Sequence, residues 1–318
     1  MGLKSALRVT QRANTKALRV QKSAEVQICG CAANSSGTVD FTISLAVFDP
    51  PSADRPAPGR RQRSGDALEL WKVWEVRNAQ LARRLLRSDA KFAALVAAPR
   101  VHRFDAAPLV AAIEAQLSHS GVPLSQIHTL PEVGAWRGPD RVGGPNTIFN
   151  RRYRANGFYE AWLGKFKNFI ADVVAPIVRG ATGRASPLYF QREPTFRVIF
   201  PGEQAVGHPH RDSQYGHQAG ELNVWVPLTR VWGSNTLWCE SAPRRGDFAP
   251  FEIEPGELVL FWGNQLEHHT LPNKTDSTRV SFDVRVLLAD FYDGDLAAHS
   301  QAINGQRFEP GKYYEVCT

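Results

Sequence analysis

The hydrophobic period changes once along the chain, near residue 187, and this change limits the possible folds more than any other feature. Before it, apolar residues recur with helical spacing. After it, apolar and polar residues alternate in four short runs: TFRVIF, ELNVWVPL, ELVLFW and TRVSFDVRVLL. Turn triplets such as PGE and GSN separate these runs. Helices followed by many short strands predict the α+β class, with a sandwich or barrel buttressed by N-terminal helices.

Two segments before the change have the stripe of an amphipathic helix. The first is ALELWKVWEVRNAQLARRLLRS (67–88), with Leu70, Val73, Trp74, Leu81 and Leu85 on one face. The second covers 156–178, with Asn156 as a candidate N-cap and a stripe of Phe158, Trp162, Phe166, Phe169, Val173 and Ile177. Between them, 134–154 is rich in Gly, Pro, Trp and Arg, which predicts a lid over a site.

The formal charge of +7 is concentrated at the N-terminus. Residues 1–65 contain ten Lys or Arg against four acidic residues, so the remaining 253 residues have a net charge of only +1. A nearly neutral body has no surface for tracking phosphates, so we expect no nucleic-acid partner. No apolar stretch approaches the roughly 20 residues of a membrane-spanning helix, so we expect no membrane partner either.

These patterns divide the chain into two parts. Residues 1–65 are expected to be a flexible basic segment, and 66–318 a single domain with a helical part (66–186), a strand-rich core (187–290) and a C-terminal extension (291–318). The first 24 residues contain six bases and no acid, which suits either an organelle transit peptide or a disordered basic tail. Without targeting to a plastid or mitochondrion, we expect a cytoplasmic protein.

The four cysteines lack the spacing of a disulfide framework, so we interpret them as the reduced thiols of an intracellular protein. Cys29 and Cys31, in ICGC, supply only half of a structural zinc site.

The run TRVSFDVRV predicts a strand with two different faces. Val280, Phe282, Val284 and Val286 share one face, and Arg279, Ser281, Asp283 and Arg285 share the other. If the apolar face packs against the helices, the polar face lines a cavity. A buried arginine in that cavity needs an anion.

The stretch HPHRD places His208, His210 and Asp212 at alternate positions. On a strand, residues i and i+2 point the same way, so His210 and Asp212 can approach one metal from one side. A distant strand can supply a third ligand from His268 or His269. Two histidines and one carboxylate with open positions form the arrangement of non-haem Fe(II) oxygenases.

Together these residues resemble the signature of the Fe(II)/2-oxoglutarate-dependent dioxygenase superfamily. The H-x-D pair is followed by His268 after 55 residues and by the pair Arg279 and Ser281 after ten more. The segments RVIFPGEQAVGHPHRD, GELNVWVPL, PGELVLFWGNQLEHHTLPN and TRVSFDVRV are similar to a StrG-like or phytanoyl-hydroxylase-like branch. The resemblance covers residues 190–290, about a third of the chain.

The resemblance implies that 66–318 is a single catalytic domain whose core, 187–290, is a double-stranded β-helix (a cupin-like jelly roll). It also implies Fe(II), 2-oxoglutarate as cosubstrate, and O2. It implies metal ligation by His210, Asp212 and His268, with His208 as a neighbour of the ligands. His268 is favoured over His269 because ten residues then separate it from Arg279.

For the cosubstrate, the resemblance implies that Arg279 pairs with the distal carboxylate while the Ser281 hydroxyl donates to it. It also places Asn223, which faces the same way as Trp225, near the cosubstrate. Arg197, flanked by apolar residues in TFRVIF, is expected to point into the barrel and to be a second candidate for holding 2-oxoglutarate.

The implied function is oxidation of a C–H bond in a small metabolite, by hydroxylation, desaturation or ring closure, with release of succinate and CO2. Arginines that surround the catalytic segment and point inward would favour a carboxylate-bearing, amino-acid-like substrate. The candidates are Arg137, Arg141, Arg151, Arg152, Arg154, Arg192, Arg197 and Arg285. His217 and Tyr215 either reach substrate or cosubstrate or satisfy local hydrogen bonds. The oligomeric state stays open.

Two other functions compete with this reading. One is a metal-binding cupin-type jelly roll, an isomerase or binding protein without oxygenase activity. Arg279 and Ser281 argue against it, since a metal site alone needs no clamp for a dicarboxylate. The other is a nucleobase demethylase, which the nearly neutral body disfavours.

Overall fold

The structure is a computed structural model that describes residues 65–117, 121–131, 158–204, 208–304 and 306–318. The N-terminal residues up to 64, the predicted lid (134–154) and Asn156 lie outside these residues.

Six α-helices occur in the described residues. They are α1 (Gly65–Ser88), α2 (Ala90–Leu95), α3 (Ala107–Leu117), α4 (Phe158–Phe169), α5 (Ala175–Thr182) and α6 (Gly294–Asn304). A π-helical segment, Ile170–Val174, joins α4 to α5, and short 3-10 turns cover Leu124–Thr129, Asp212–Tyr215, Gly233–Asn235 and Ala289–Phe291. None of the described helices combines the length and the apolar character needed to cross a bilayer.

Ten strands form two antiparallel sheets. The strands are β1 (Arg100–Arg103), β2 (Leu188–Gln191), β3 (Thr195–Ile199), β4 (Leu222–Pro227), β5 (Leu237–Cys239), β6 (Ala249–Pro250), β7 (Glu257–Phe261), β8 (His268–Thr270), β9 (Arg279–Leu288) and β10 (Tyr314–Cys317). The larger sheet has the order β1-β7-β4-β9-β2-β10, with β3 also paired to β9, and the smaller sheet has the order β6-β5-β8. Helices grouped around antiparallel sheets give the predicted α+β class.

Strand β9 occupies the centre of the larger sheet. Strand β4 pairs with one of its edges, while β3 and β2 follow one another along the other edge. Two strands of this sheet, β1 and β10, lie outside the segment 187–290 in which we predicted the sheet core. Each has only four residues, too few for an alternation of apolar and polar residues to be recognised. The position of each is set by pairing with a strand that is distant in the sequence, β7 for β1 and β2 for β10.

The apolar face of β9 packs against α4, as its alternation predicts. Phe282 is fully buried, and its ring lies 5.8, 6.2 and 5.9 Å from the rings of Trp162, Phe166 and Phe169. Phe196 of the adjacent strand completes the cluster at 5.6 Å. The polar face of β9 is therefore turned away from the helices, towards the interior between the two sheets.

The π-helical segment changes which residues the second predicted helix buries. Val173 and Ile177 were predicted to face the core, but they are only partly buried, and Val174 and Val178 take the core positions. A π-turn adds one residue to a helical turn and so rotates the following face by about one position. The sequence stripe is correct up to Phe169 and is shifted by one residue after it.

Helix α1 also presents a face slightly different from the predicted one. Trp74, Leu81 and Leu85 are buried as expected, but Val73 is 47% exposed, and Trp71 takes its place in the core. The Trp71 ring stacks on Trp74 at 5.3 Å, which fixes this rotation of the helix.

We expect Phe282→Ala to lower the free energy of unfolding by about 3–5 kcal/mol, because it leaves a cavity among four aromatic rings. Urea denaturation of the purified protein measures this change. Val101→Ala is the control, since Val101 is 54% exposed on the edge strand β1, and it should change stability by less than about 0.5 kcal/mol. Equal effects of the two variants would contradict the packing described for β9.

Candidate metal centre and anion pocket

The structure brings His210, Asp212 and His268 together. Their ligand atoms all lie within 4.8 Å of one another, the only such group of His, Cys, Asp or Glu in the described parts of the chain. Asp212 Oδ1 is 3.8 Å from His210 Nε2 and 3.6 Å from His268 Nε2. Three nitrogen and oxygen donors around one point suit a divalent transition metal.

The H-x-D motif does not lie on a regular strand, contrary to the prediction. His210 forms an isolated β-bridge with His268, and Asp212 begins the following 3-10 turn. Two backbone hydrogen bonds, of 3.1 and 3.0 Å, link the two histidines, and the Asp212 N–H then donates to the Gly263 carbonyl at 2.9 Å. The chain thus turns directly after its bridge to β8, and this turn brings the Asp212 carboxylate to the imidazoles of His210 and His268.

Backbone carbonyls fix the tautomer of both histidines. His210 Nδ1 lies 2.7 Å from the His208 carbonyl oxygen, and His268 Nδ1 lies 3.0 Å from that of Leu266. A carbonyl only accepts, so each Nδ1 bears the hydrogen and each Nε2 presents a lone pair. Burial, followed by the neighbouring His210, lowers the pKa of His268 to about 4, which keeps its imidazole neutral near pH 7.

The two oxygens of Asp212 have different surroundings. Oδ2 accepts hydrogen bonds from Asn223 Nδ2 at 2.7 Å and from Arg285 Nε at 3.0 Å, whereas Oδ1 faces the two histidines and accepts a longer hydrogen bond, of 3.4 Å, from Arg285 Nη2. Burial alone would raise the pKa of Asp212, but the Arg285 guanidinium and the nearby histidines hold it well below its usual range. Asp212 is therefore a permanent carboxylate with Oδ1 directed towards the cluster.

Gly263 makes room for this arrangement. A Cβ at this position would lie 2.6 Å from the side-chain amide of Asn223. Asn223 was predicted to bind the cosubstrate; the structure places its Nδ2 on Asp212 and leaves its buried Oδ1 without a hydrogen-bond partner among the described residues.

Arg279 and Ser281 lie on the polar face of β9 and are both buried. Arg279 is 3% exposed, and among the described residues neither its Nε nor Ser281 Oγ has a hydrogen-bond partner. Burial and the neighbouring Arg197 lower the pKa of Arg279 to about 9, a shift that Asp283 only partly opposes. A buried guanidinium without a counter-ion marks a binding pocket for an anion.

Arg197 lies beside this pocket. It stands opposite Ser281 in the register of β3 and β9, so both side chains project from the same face of the sheet. Its one hydrogen bond is from Nη1 to the neighbouring Phe196 carbonyl, at 3.3 Å, which leaves its charge without a carboxylate partner among the described residues.

The other histidines of the sequence prediction lie around the cluster. His269, the alternative ligand, alternates to the other face of β8, where its ring meets Phe248 at 4.7 Å. Tyr215 stands edge-on to the His210 ring at 5.2 Å. His217 is buried, with Nδ1 2.7 Å from Glu221 Oε2.

Three residues of this neighbourhood were missed by the sequence analysis. Glu221 accepts a hydrogen bond from Tyr314, and the Tyr313 ring lies 5.7 Å from His217. Glu221 could have been found, because it continues the alternation of Asn223 and Trp225 by one step. The two tyrosines could not, since no pattern in the C-terminal extension connects them to the metal ligands.

We expect His210→Ala, Asp212→Ala and His268→Ala each to lose metal binding, because an open site with three protein ligands cannot spare one. Equilibrium dialysis against Fe(II) under anaerobic conditions measures the bound metal. His269→Ala removes an imidazole from the adjacent residue and should retain the metal. Loss of metal from His269→Ala with retention in His268→Ala would reverse the assignment.

Comparison with known proteins gives one curated relative and several solved structures. The chain is 36% identical over 151 residues to the streptomycin biosynthesis protein StrG of Streptomyces griseus, a match that covers 46% of this chain and 71% of StrG. No family model matches.

The solved structures that overlay on the chain include the nickel complex of the non-haem monooxygenase ThoJ and the non-haem α-ketoglutarate-dependent carbocyclase SnoK from nogalamycin biosynthesis. ThoJ is 16% identical, with 65% of this chain and 77% of ThoJ covered and a TM-score of 0.39. SnoK is 15% identical, with 48% and 72% covered and a TM-score of 0.36. These overlays are loose, so the assignment rests on the match to StrG and on the His-Asp-His cluster. The chain belongs to the family of StrG, and its His-Asp-His cluster fits the Fe(II)/2-oxoglutarate-dependent dioxygenase superfamily that its motifs resemble.

Proposed function

We propose that the protein oxidises a C–H bond of a small, carboxylate-bearing, amino-acid-like metabolite in specialised biosynthesis, and that it consumes 2-oxoglutarate and O2 and releases succinate and CO2. Hydroxylation, desaturation and oxidative ring closure are the outcomes open to it. The observation that supports this most is the buried Arg279, whose Nε has no hydrogen-bond partner among the described residues, on the strand that also holds Asp212 through Arg285.

His210, Asp212 and His268 would hold Fe(II), which when bound supplies oxygen activation coupled to oxidation of 2-oxoglutarate. The chain's own contribution is orientation. The carbonyls of His208 and Leu266 keep both Nε2 atoms free of hydrogen, and Asn223 and Arg285 keep Asp212 Oδ2 occupied so that Oδ1 is the ligand atom.

Arg279 and Ser281 would hold the distal carboxylate of 2-oxoglutarate. A guanidinium can donate two parallel hydrogen bonds to a carboxylate, and the Ser281 hydroxyl adds a third donor from the same face. Both groups are buried with an unused donor, so the bound carboxylate would satisfy atoms that the described part of the fold leaves unsatisfied.

The two antiparallel sheets support the proposal that the core is a double-stranded β-helix. Cross-strand pairs place the smaller sheet's His268 opposite His210, and the polar face of β9 belongs to the larger sheet. The smaller sheet contributes the metal ligand His268, and the larger sheet contributes the anion-binding groups of β9. This arrangement fits a jelly roll, which encloses its site between two sheets.

His217, Phe308 and Tyr313 form an aromatic cluster that would contact the substrate, with the His217 ring 4.5 Å from Phe308 and 5.7 Å from Tyr313. His217 Nδ1–H donates to the Glu221 carboxylate, and its Nε2 has no hydrogen-bond partner among the described residues. That nitrogen is the group we assign to substrate contact.

Few of the arginines considered for the substrate carboxylate remain available. Arg192 is engaged by the Gly311 carbonyl and Glu315, and Arg285 by Asp212. Arg197 alone, among the arginines of this set that the structure describes, faces the interior without an ion pair. It is therefore the candidate for a substrate carboxylate if Arg279 takes the cosubstrate.

Anaerobic titration tests the proposal against a cupin that binds metal without oxygenase activity. Addition of Fe(II) and then 2-oxoglutarate should produce a weak visible charge-transfer band, because the keto acid chelates the metal at its open positions. Succinate should form when air is admitted together with a panel of amino-acid derivatives. Metal binding without the band or succinate would favour the cupin alternative.

Arg279→Ala should weaken 2-oxoglutarate binding by about 2–5 kcal/mol, or about 30- to 4000-fold, because it leaves a carboxylate unpaired in a buried pocket. Arg279→Lys keeps the charge without the planar fork and should fall between wild type and Ala. Ser281→Ala removes one hydrogen bond and should cost about 1 kcal/mol. Titration of the charge-transfer band gives these affinities.

Fe(II) affinity, measured without 2-oxoglutarate, should be the same in all three variants. If Arg279→Ala leaves the affinity for 2-oxoglutarate unchanged, the distal carboxylate would be assigned to Arg197 instead. Arg197→Ala is the matched variant that tests this assignment.

A further inference from the structure

We propose that Glu240, a buried carboxylate outside the cluster, is the positioning residue for the metal ligand His268. Glu240 follows β5 directly and is 4% exposed. The proposal rests on the metal centre of the proposed function.

Glu240 holds both backbone polar groups of the residue before His268. Its carboxylate Oε2 accepts the Glu267 N–H at 3.0 Å, and its own N–H donates to the Glu267 carbonyl at 3.1 Å. One residue therefore fixes the peptide groups on both sides of Glu267. Since His268 Nδ1–H donates to the carbonyl of Leu266, this clamp spans the segment that provides both the ligand and the carbonyl that sets its tautomer.

The same carboxylate organises the loop that follows it. Oε2 also accepts the Arg244 N–H at 3.1 Å, and Oε1 accepts the Gly246 N–H at 3.0 Å. Three N–H donors and no acceptor surround the group, so the ionised form of Glu240 fits the site. Glutamine would place its own N–H2 against one of these donors and leave a buried N–H without a partner.

The charge of Glu240 has no ion-pair partner among the described residues. Groups that hold a ligand from behind typically change metal affinity about 10- to 100-fold when they are removed. Glu240 thus acts on the metal through the backbone that fixes His268.

Co(II) binding to the full-length protein tests the proposal, with Co(II) standing in for Fe(II) in the absence of 2-oxoglutarate. Glu240→Gln should raise the dissociation constant for Co(II) about 10- to 100-fold and alter the visible ligand-field spectrum. Glu240→Asp keeps the charge with a shorter reach and should give an intermediate value. Glu267→Gln is the matched control, because it removes a charge from the adjacent residue without touching these hydrogen bonds.

A merely structural role is tested with Asp89→Asn, which weakens the cap of α2 far along the chain from the cluster. It should lower the melting temperature without changing Co(II) affinity. If Glu240→Gln does not fold, as judged by near-UV circular dichroism, Glu240→Asp decides. A Co(II) affinity within twofold of wild type in the folded Glu240 variant would overturn the proposal. Absence of Co(II) binding by the wild type would overturn the metal centre as well, whereas failure of succinate formation alone would not affect either.

Discussion

The buried Asp212 carboxylate is the group on which the rest of the site depends. A carboxylate deprived of water is costly unless hydrogen bonds and opposite charge replace the solvent. Here Asn223 and Arg285 approach from two adjacent strands of the larger sheet, and the two histidines approach from the opposite side. The position of Asp212 thus requires both sheets to be in place, so the geometry of the metal ligands depends on the same packing that forms the core.

Strand β9 contains two buried arginines with opposite electrostatic situations. Arg285 is compensated by Asp212 and Asp283, which raise its pKa well above the ordinary value against the effect of burial. Arg279 lies six residues earlier on the same face, and there Asp283 offsets only part of the effect of burial and of Arg197, so its pKa stays below the ordinary value. The first cation completes the protein structure, and the second leaves a charge for a ligand to neutralise. Sequence alternation places both on one face but cannot distinguish them, because their partners come from distant residues.

The features predicted from the sequence are those with a regular period or a fixed spacing. The two faces of β9 follow from alternation alone, and the H-x-D pair together with His268 follows from motif spacing. The turn at Asp212 was mispredicted as a strand, because the bridge between His210 and His268, which are 58 residues apart, decides the local backbone there. The π-turn and Glu240 left no sign in the sequence: one is a single extra residue, and the other is a carboxylate whose partners are peptide groups.

The central place of β9 has a consequence for the order in which the chain folds. Its partners β3, β2 and β4 precede it by about 60 to 90 residues and never pair with one another directly. Until β9 docks, those strands have no common neighbour, and Asp212 has no guanidinium to neutralise it. Contacts at such sequence separation form slowly, because a long loop must be closed before they stabilise anything. A chain in which β9 has not docked would lack the partner that neutralises Asp212, so this metal ligand would not yet be held in place.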